Sequence, residues 1–379
     1  MTAIRGKPGG IPQATWPASF HTGPLGNSNI LPRRNGQKFL CALTGGIGYN
    51  KTQQRTLKEA RETAMGRKYD VSHEQYDGSA GQTFGGVAYC EDPTQYSPTP
   101  EAYAAANNQY FMVSYTPGQS VASMNAGNAD AAWAKYATYW ASLKPQKIML
   151  RAFWEFDGDF VWSVGGTSYT AAEFISAWQR MVGIFQANGA DNVGFMWCPN
   201  EGGVHLTRSQ LSDYYPGDAY VDWVGSDWYN HLTGFSTYLH SGFAQWAEIF
   251  NYGVFSPFSI YSTYDIFGSG AAVSGNRGWT GTPRVKPFLV GETSSPYDSG
   301  SAGAKAAWFT NMLSDANGIK SMSKCIGVSF YDRDVHSGSD FDWRVASDAS
   351  VVNVTGTDPD STTLAGYVSM GQDTTMRGK

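Results

Sequence analysis

Eight short apolar runs, several of them followed by a helical stretch, limit what this 379-residue chain can become. They read as strands at Phe39 to Thr44, Tyr69 to His73, Tyr110 to Tyr115, Ile148 to Phe153, Val193 to Trp197, Val221 to Ser226, Phe288 to Val290 and Ile326 to Phe330. Continuous apolar runs of this length between polar turns suit a parallel sheet covered on both faces. Helical composition falls between them at Arg55 to Met65, Ala129 to Leu143, Ala171 to Asn188 and Ala302 to Leu313. The first stops at Gly66, the second before Pro145 and the third at Gly189, residues that end helices. Eight strands alternating with helices predict an α/β fold of the (β/α)8 TIM barrel type.

The rhythm begins near residue 38. Residues 1–37, rich in Gly, Pro and Asn without periodicity, predict an irregular N-terminal arm. Residues 38–345 make the barrel. Residues 346–379, rich in Ser, Thr, Asp and Gly, predict a polar C-terminal extension on the surface, partly mobile.

A net charge of −5 with no basic run argues against a nucleic-acid partner. No stretch reaches the roughly 18 apolar residues of a membrane span, so no membrane insertion is expected. The opening MTAIRGKPGGIPQ lacks the apolar core of a signal peptide. The protein then stays inside, leaves by another route or was trimmed, and an extracellular or virion-associated place is the favoured expectation. Cys41, Cys198 and Cys325 sit in or beside apolar runs and read as buried free thiols, while Cys90 lies in a polar loop. Six scattered histidines form no ligand spacing, so a catalytic metal is not expected.

Two of the apolar runs end on a glutamate. LRAFWEFDGDFVW carries Glu155 past the fourth strand, and KPFLVGETSSP carries Glu292 at the end of the seventh. In such barrels catalytic groups collect at the carboxyl ends of the strands. Two carboxyl groups there are what glycosidic bond cleavage needs, one as proton donor and one as nucleophile. Arg151, on the fourth strand, reaches the same rim. Tyr229, in VGSDWYN, can hydrogen-bond a neighbouring carboxylate and hold it ionised. Phe160, Trp162, Trp197, Trp228 and Tyr331 fall at or just past strand ends, and aromatics make up 15% of the chain. Such rings suit stacking against apolar sugar faces.

The motifs resemble those of glycoside hydrolase family 26, a clan A family that includes β-mannanases, lichenases and β-1,3-xylanases. MGRKYDVSHEQYD is similar to the family's Gly-Arg-Lys-aromatic-Asp turn. LRAFWEFDGDFVW resembles its acid/base segment, MWCPN its Trp-x-Pro-Asn, and YYPGDAYVDWVGSDWYN its Tyr-Pro-Gly-Asp followed by Val-Asp-x-x-Gly-x-Asp-x-Tyr. KPFLVGET resembles the strand that ends in the nucleophile, and FDWRV the late Asp-Trp-Arg-Val. They run in order from about residue 40 to 345. The resemblance implies Glu155 as general acid/base with a raised pKa, and Glu292 as nucleophile. The reaction would be a retaining double displacement without a cofactor, endo-acting on a β-linked polysaccharide or oligosaccharide. Arg151 and Tyr229 would keep Glu292 anionic, and Asp227 and Trp228 would border the substrate.

The chain departs from the family where Trp154 stands in place of a histidine, Asp157 of an asparagine, Phe160 of a tryptophan and Tyr115-Thr116 of Trp-His. These changes rebuild the sugar-recognition surroundings, Trp154 included, so mannan specificity does not follow. Two alternatives stay open: a carbohydrate-recognition barrel without turnover, for example on a phage tail, and a hydrolase of bacterial capsule or cell-wall glycan.

Overall fold

The computed structural model describes residues 38–46, 51–77, 98–160, 163–200, 205–206, 210, 212–229, 286–295, 304–313, 319, 325–334, 344–345 and 361–377. The expected N-terminal arm lies outside them. Eight strands, β1 (Phe39–Gly46), β2 (Val71–Asp77), β3 (Tyr110–Thr116), β4 (Ile148–Ala152), β5 (Val193–Trp197), β6 (Trp223–Tyr229), β7 (Phe288–Ser294) and β8 (Cys325–Asp334), form a closed barrel in chain order. Neighbours pair in parallel, and β8 closes onto β1 from Phe39↔Gly327 to Gly46↔Asp334.

Alternation along the strands divides the apolar residues into two cores. Phe39, Cys41, Val71, Met112, Met149, Met196, Cys198, Trp223, Leu289 and Ile326 fill the barrel interior. A larger cluster, from Leu40 and Val113 to Trp178 and Phe330, lies between the strands and their surrounding helices. Cys41, Cys198 and Cys325 are buried, as read from the sequence.

The described helices are α1 (Lys51–Met65), α2 (Pro100–Ala106), α3 (Val121–Asn125), α4 (Asp130–Ser142), α5 (Ala171–Ala187), α6 (Ala304–Asn311), α7 (Ser361–Gln372) and α8 (Thr374–Arg377). Helix α5 starts on a capping box: Thr170 Oγ1 accepts from the Glu173 amide, and Glu173 Oε2 accepts from the Thr170 amide at 2.7 Å. Such a box satisfies two amides that the helix itself cannot pair. The buried residues Phe174, Ala177, Trp178, Met181, Val182 and Phe185 recur at helical intervals and form one stripe. On α4, Trp133, Tyr136, Ala137 and Trp140 face inward and Tyr139 is half-buried.

The C-terminal tail differs from its expectation. Rather than a surface extension throughout, residues 361–377 form α7 and α8, which pack on the barrel as the helix after β8. Tyr367, Met370 and Met376 are buried in the outer core, and the Tyr367 hydroxyl meets that of Tyr69 at 2.9 Å. Gly366 of α7 lets that helix touch α6, since a Cβ there would lie 2.6 Å from Ala306 Cα. Small and polar residues in STTLAGYVSMGQ masked this helix, because close packing needs them on one side and exposure on the other.

Candidate active site

Strand β4 is regular to Ala152 and then turns sharply. Phe153 and Glu155 both hold left-handed backbone, with φ of 49° and 52°. Non-glycine residues rarely adopt this conformation, and it persists only when surroundings enforce it. Three hydrogen bonds do so here. The Glu155 amide donates to the Cys198 carbonyl at 3.0 Å, and the Glu155 carbonyl accepts from Ser163 Oγ at 2.6 Å and from the Gly158 amide at 2.9 Å. Asp157, two residues on, accepts from the Asn200 amide at 2.6 Å and ties the same turn to the end of β5. Glu155 is thereby fixed at the mouth of the barrel with 9% of its surface exposed.

Strand β7 delivers Glu292 by a different device. Its register with β6 runs Val224↔Phe288, Gly225↔Leu289 and Ser226↔Val290, then jumps to Asp227↔Glu292. The bulge skips Gly291 and brings Glu292 to the face that the alternation would otherwise deny it. Gly291 is confined: a Cβ would lie 2.6 Å from Asp227 Oδ1, 2.7 Å from Cys198 Sγ and 3.1 Å from Arg151 Nε. Only glycine leaves room for the guanidinium that crosses above it.

That guanidinium organises the carboxylates. Arg151 is fully buried; its Nη1 donates to Glu292 Oε1 and to Ser114 Oγ, both at 2.6 Å, while Nη2 pairs with Asp227 Oδ2. Tyr229, from the end of β6, donates its hydroxyl to Glu292 Oε2 at 2.6 Å. Each oxygen of Glu292 therefore has a donor. Asp227 is held from the other side by the Cys198 thiol at 3.2 Å.

Glu155 is treated differently. Burial first, and then the nearby charge of Glu292, push its carboxyl up to about 8, with Arg151 opposing. One oxygen from each of Glu155, Asp227 and Glu292 lies within 4.8 Å of the others. Like charges at that range favour keeping one site protonated. Burial and the adjoining carboxylate also push the Tyr229 phenol well above its usual value, so it stays a donor. The same three carboxylates are the trio with metal-like spacing among the described residues. Arg151 already supplies the positive charge between Asp227 and Glu292, so the trio suits an arginine clamp better than a cation.

The structure thus brings Arg151, Glu155, Asp227, Tyr229 and Glu292 together. Trp154 is largely buried, its ring 5.4 Å below the Arg151 guanidinium and edge-on to Phe160 at 4.7 Å. Half-buried Tyr331 meets Tyr229 edge-on at 5.6 Å, on the nucleophile side. Trp197 needs a correction. Its ring is fully buried between Phe156 and Tyr215, with its indole N–H on the Tyr214 carbonyl, so it braces the outer core and offers no face to a sugar. The alternation on β5 explains this: Met196 and Cys198 point into the barrel and Trp197 points out. Trp162 and the Trp228 side chain lie outside the described residues. Sequence reasoning did not single out Ser114, whose small side chain carries no motif, or the contact of the Cys198 thiol with Asp227.

The central part of the chain, residues 109–260, matches the family described as glycosyl hydrolase family 26. Over those residues the chain is similar to that family. The match spans β3 to β6 and so includes Arg151, Glu155, Asp227 and Tyr229. Endoglucanase H of Acetivibrio thermocellus is 28% identical to this chain over 292 residues. The alignment covers 75% of this chain and 26% of that protein, so the chain spans about a quarter of the length of its relative. Among solved structures, the catalytic domain of a family 26 endo-β-1,4-mannanase from Bacillus sp. JAMB-750 superposes with a TM-score of 0.55 at 16% identity, covering 89% of this chain and 86% of that one. A family 26 β-mannanase from Bacteroides ovatus gives 0.52 at 15% identity, with 89% of each chain covered. At these identities the two structures speak for the shared barrel.

Proposed function

We propose that this protein is a retaining glycoside hydrolase, endo-acting on a β-linked polysaccharide, with Glu155 as general acid/base and Glu292 as nucleophile. The observation that carries the reading is the pairing of two carboxyl groups, with oxygens within 4.8 Å, in opposite electrostatic settings. Retaining enzymes hold their carboxyls about 5–5.5 Å apart, inverting ones about 6.5–9.5 Å apart to admit a water.

In the first step Glu292 attacks the anomeric carbon as the glycosidic bond breaks. Glu155 gives its proton to the departing oxygen, and a glycosyl ester forms on Glu292. In the second step Glu155, now a carboxylate, takes a proton from water. The oxygen of that water displaces Glu292 and restores both groups. Arg151 and Tyr229 hold both oxygens of Glu292 and aim the carboxylate, so little reorganisation remains at the moment of attack. Trp154, Phe160 and Tyr331 would present ring surface beside the cleavage point. The likeness to an endoglucanase supports a glucan-type backbone as the first substrate to try.

A panel of activated aryl glycosides, given to the protein and to Glu292→Ala, tests the reading. Turnover by the former, lost in the latter by roughly three orders of magnitude or more, is expected for loss of a nucleophile. Binding of a glycan without turnover by the native protein would mean a recognition barrel instead.

A further inference from the structure

Below the carboxylates, a buried polar chain crosses the barrel interior, and the reaction steps above make no use of it. His73 of β2 is 1% exposed; its Nε2 lies 2.7 Å from Ser114 Oγ, and its Nδ1 lies 2.7 Å from Ser329 Oγ. Ser114 of β3, in register with Arg151 of β4, accepts from Arg151 Nη1 at 2.6 Å. Four strands thus connect Ser329, His73, Ser114 and Arg151 to Glu292.

Donor chemistry fixes the direction of this chain. A guanidinium has N–H donors and no acceptor, so Ser114 Oγ is the acceptor from Arg151. Ser114 is fully buried and its other hydrogen-bond partner among the described residues is His73 Nε2, so the hydroxyl proton is satisfied where Nε2 offers a lone pair. Nδ1 therefore carries the imidazole proton and donates it to Ser329 Oγ. We infer that His73, held as the neutral Nδ1–H tautomer between Ser329 and Ser114, is a positioning residue that sets the third anchor of Arg151 and through it the aim of Glu292. Asp227 and Glu292 draw the guanidinium toward the mouth of the barrel, and Ser114 holds Nη1 from the β3 side. Losing that anchor leaves Nη1 short of one buried partner and lets the arginine slide along its carboxylates. Protonating His73 would turn Nε2 into a donor, leave the Ser114 proton without this acceptor and place a second cation beside Arg151.

The consequence for turnover rests on Glu292 being the nucleophile; the tautomer does not. The experiment is nitrogen NMR of the imidazole in the full chain at pH 7, with His73→Gln giving the assignment, read beside the steady-state kinetics of Ser114→Ala. A neutral Nδ1–H imidazole is expected in the native protein. In Ser114→Ala the imidazole should lose that single tautomer, while kcat falls about tenfold with KM changed less than twofold, since a small misplacement of a reacting group slows chemistry more than binding. An Nε2–H or charged imidazole in the native protein overturns the inference, as does a Ser114→Ala protein with unchanged kcat. Should Ser114→Ala fail to fold, Ser329→Ala takes its place: it spares the Arg151 contacts and should release the Nδ1 proton from its fixed partner, and an unaltered imidazole signal would again overturn the inference. A native protein that turns over no glycoside would remove the proposed function, while the imidazole signal still decides the hydrogen-bond direction.

Discussion

Arg151 and Glu292 stand 141 positions apart in the chain and are joined by a 2.6 Å hydrogen bond from Nη1 to Oε1. The arginine rises from β4 and the glutamate from β7, so the contact crosses the barrel mouth. It exists because Gly291, one residue earlier, leaves the guanidinium a path. The fold converts two distant apolar runs into one electrostatic unit, in which the arginine side chain is sealed and the two glutamates keep a narrow exposed edge.

The raised pKa of Glu155 sets the expected pH profile. With Glu155 pushed up to about 8 by burial and the neighbouring carboxylate, kcat/KM should fall on the alkaline side with a midpoint near 8, as the proton donor ionises. In Glu155→Gln that limb should disappear together with most activity on unactivated glycans. A limb that stays in place in the variant would assign it to another group.

The same shift bears on stability. A carboxyl whose folded pKa lies above its unfolded value binds more protons in the folded state, so its contribution falls as pH rises from about 4.5 through 8. Glu155→Gln should therefore raise Tm relative to the native protein at pH 8 and much less at pH 5. Equal changes at both pH values would mean that Glu155 is not held protonated by the fold.

Leaving groups separate the two roles of Glu155. Glu155→Ala should slow the glycosylation step on a natural glycan by about 10³-fold or more, since general acid catalysis is worth roughly 10²–10⁴. A dinitrophenyl glycoside, whose leaving oxygen needs no proton, should lose far less in the same step. Single-turnover kinetics on both substrates gives the comparison, and equal losses would count against the assignment.

Gly291→Ala should damage the site although it touches no substrate. The added methyl group meets Asp227, Cys198 and Arg151 at 2.6–3.1 Å in a sealed space, so the cost is about 1–3 kcal/mol of overpacking. The displaced groups are the ones that hold Glu292, so kcat should fall as well. A chemical denaturation curve and an activity assay on the same preparation test both parts.

At the far end of the chain, Tyr367→Ala should destabilise the barrel by about 3–5 kcal/mol, as for other large aromatic deletions from a core. Tyr367 is fully buried against Phe309 and Phe330 and shares a hydrogen bond with Tyr69. If residues 361–377 were a loose extension, the melting temperature would not move.

The barrel was legible in the sequence because most of the eight strands are apolar over several residues, and buried parallel strands need no alternation to be seen. Glu155 and Glu292 were legible because each interrupts such a run. The bulge at Gly291 was not, since a skipped residue leaves the composition of a strand unchanged. Trp197 was misplaced because position at a strand end does not say which way the side chain points; one residue of parity separates the barrel mouth from the outer core. Helix α7 escaped because its buried face is built from Thr363, Tyr367, Met370 and Gly371, a pattern with too few large apolar residues to stand out. Ser114 and His73 carry no motif, and only the register between β2, β3 and β4 brings them under Arg151.

The account depends most on Glu292 attacking the sugar. Incubation with a panel of activated 2-deoxy-2-fluoro β-glycosides, followed by intact mass spectrometry and peptide mapping, examines that step directly. One adduct of the fluorosugar mass on the peptide carrying Glu292, absent in Glu292→Ala, is the predicted result. Hydrolysis of the parent glycosides with an adduct on another residue, or with an inverted anomeric product and no adduct, would contradict it.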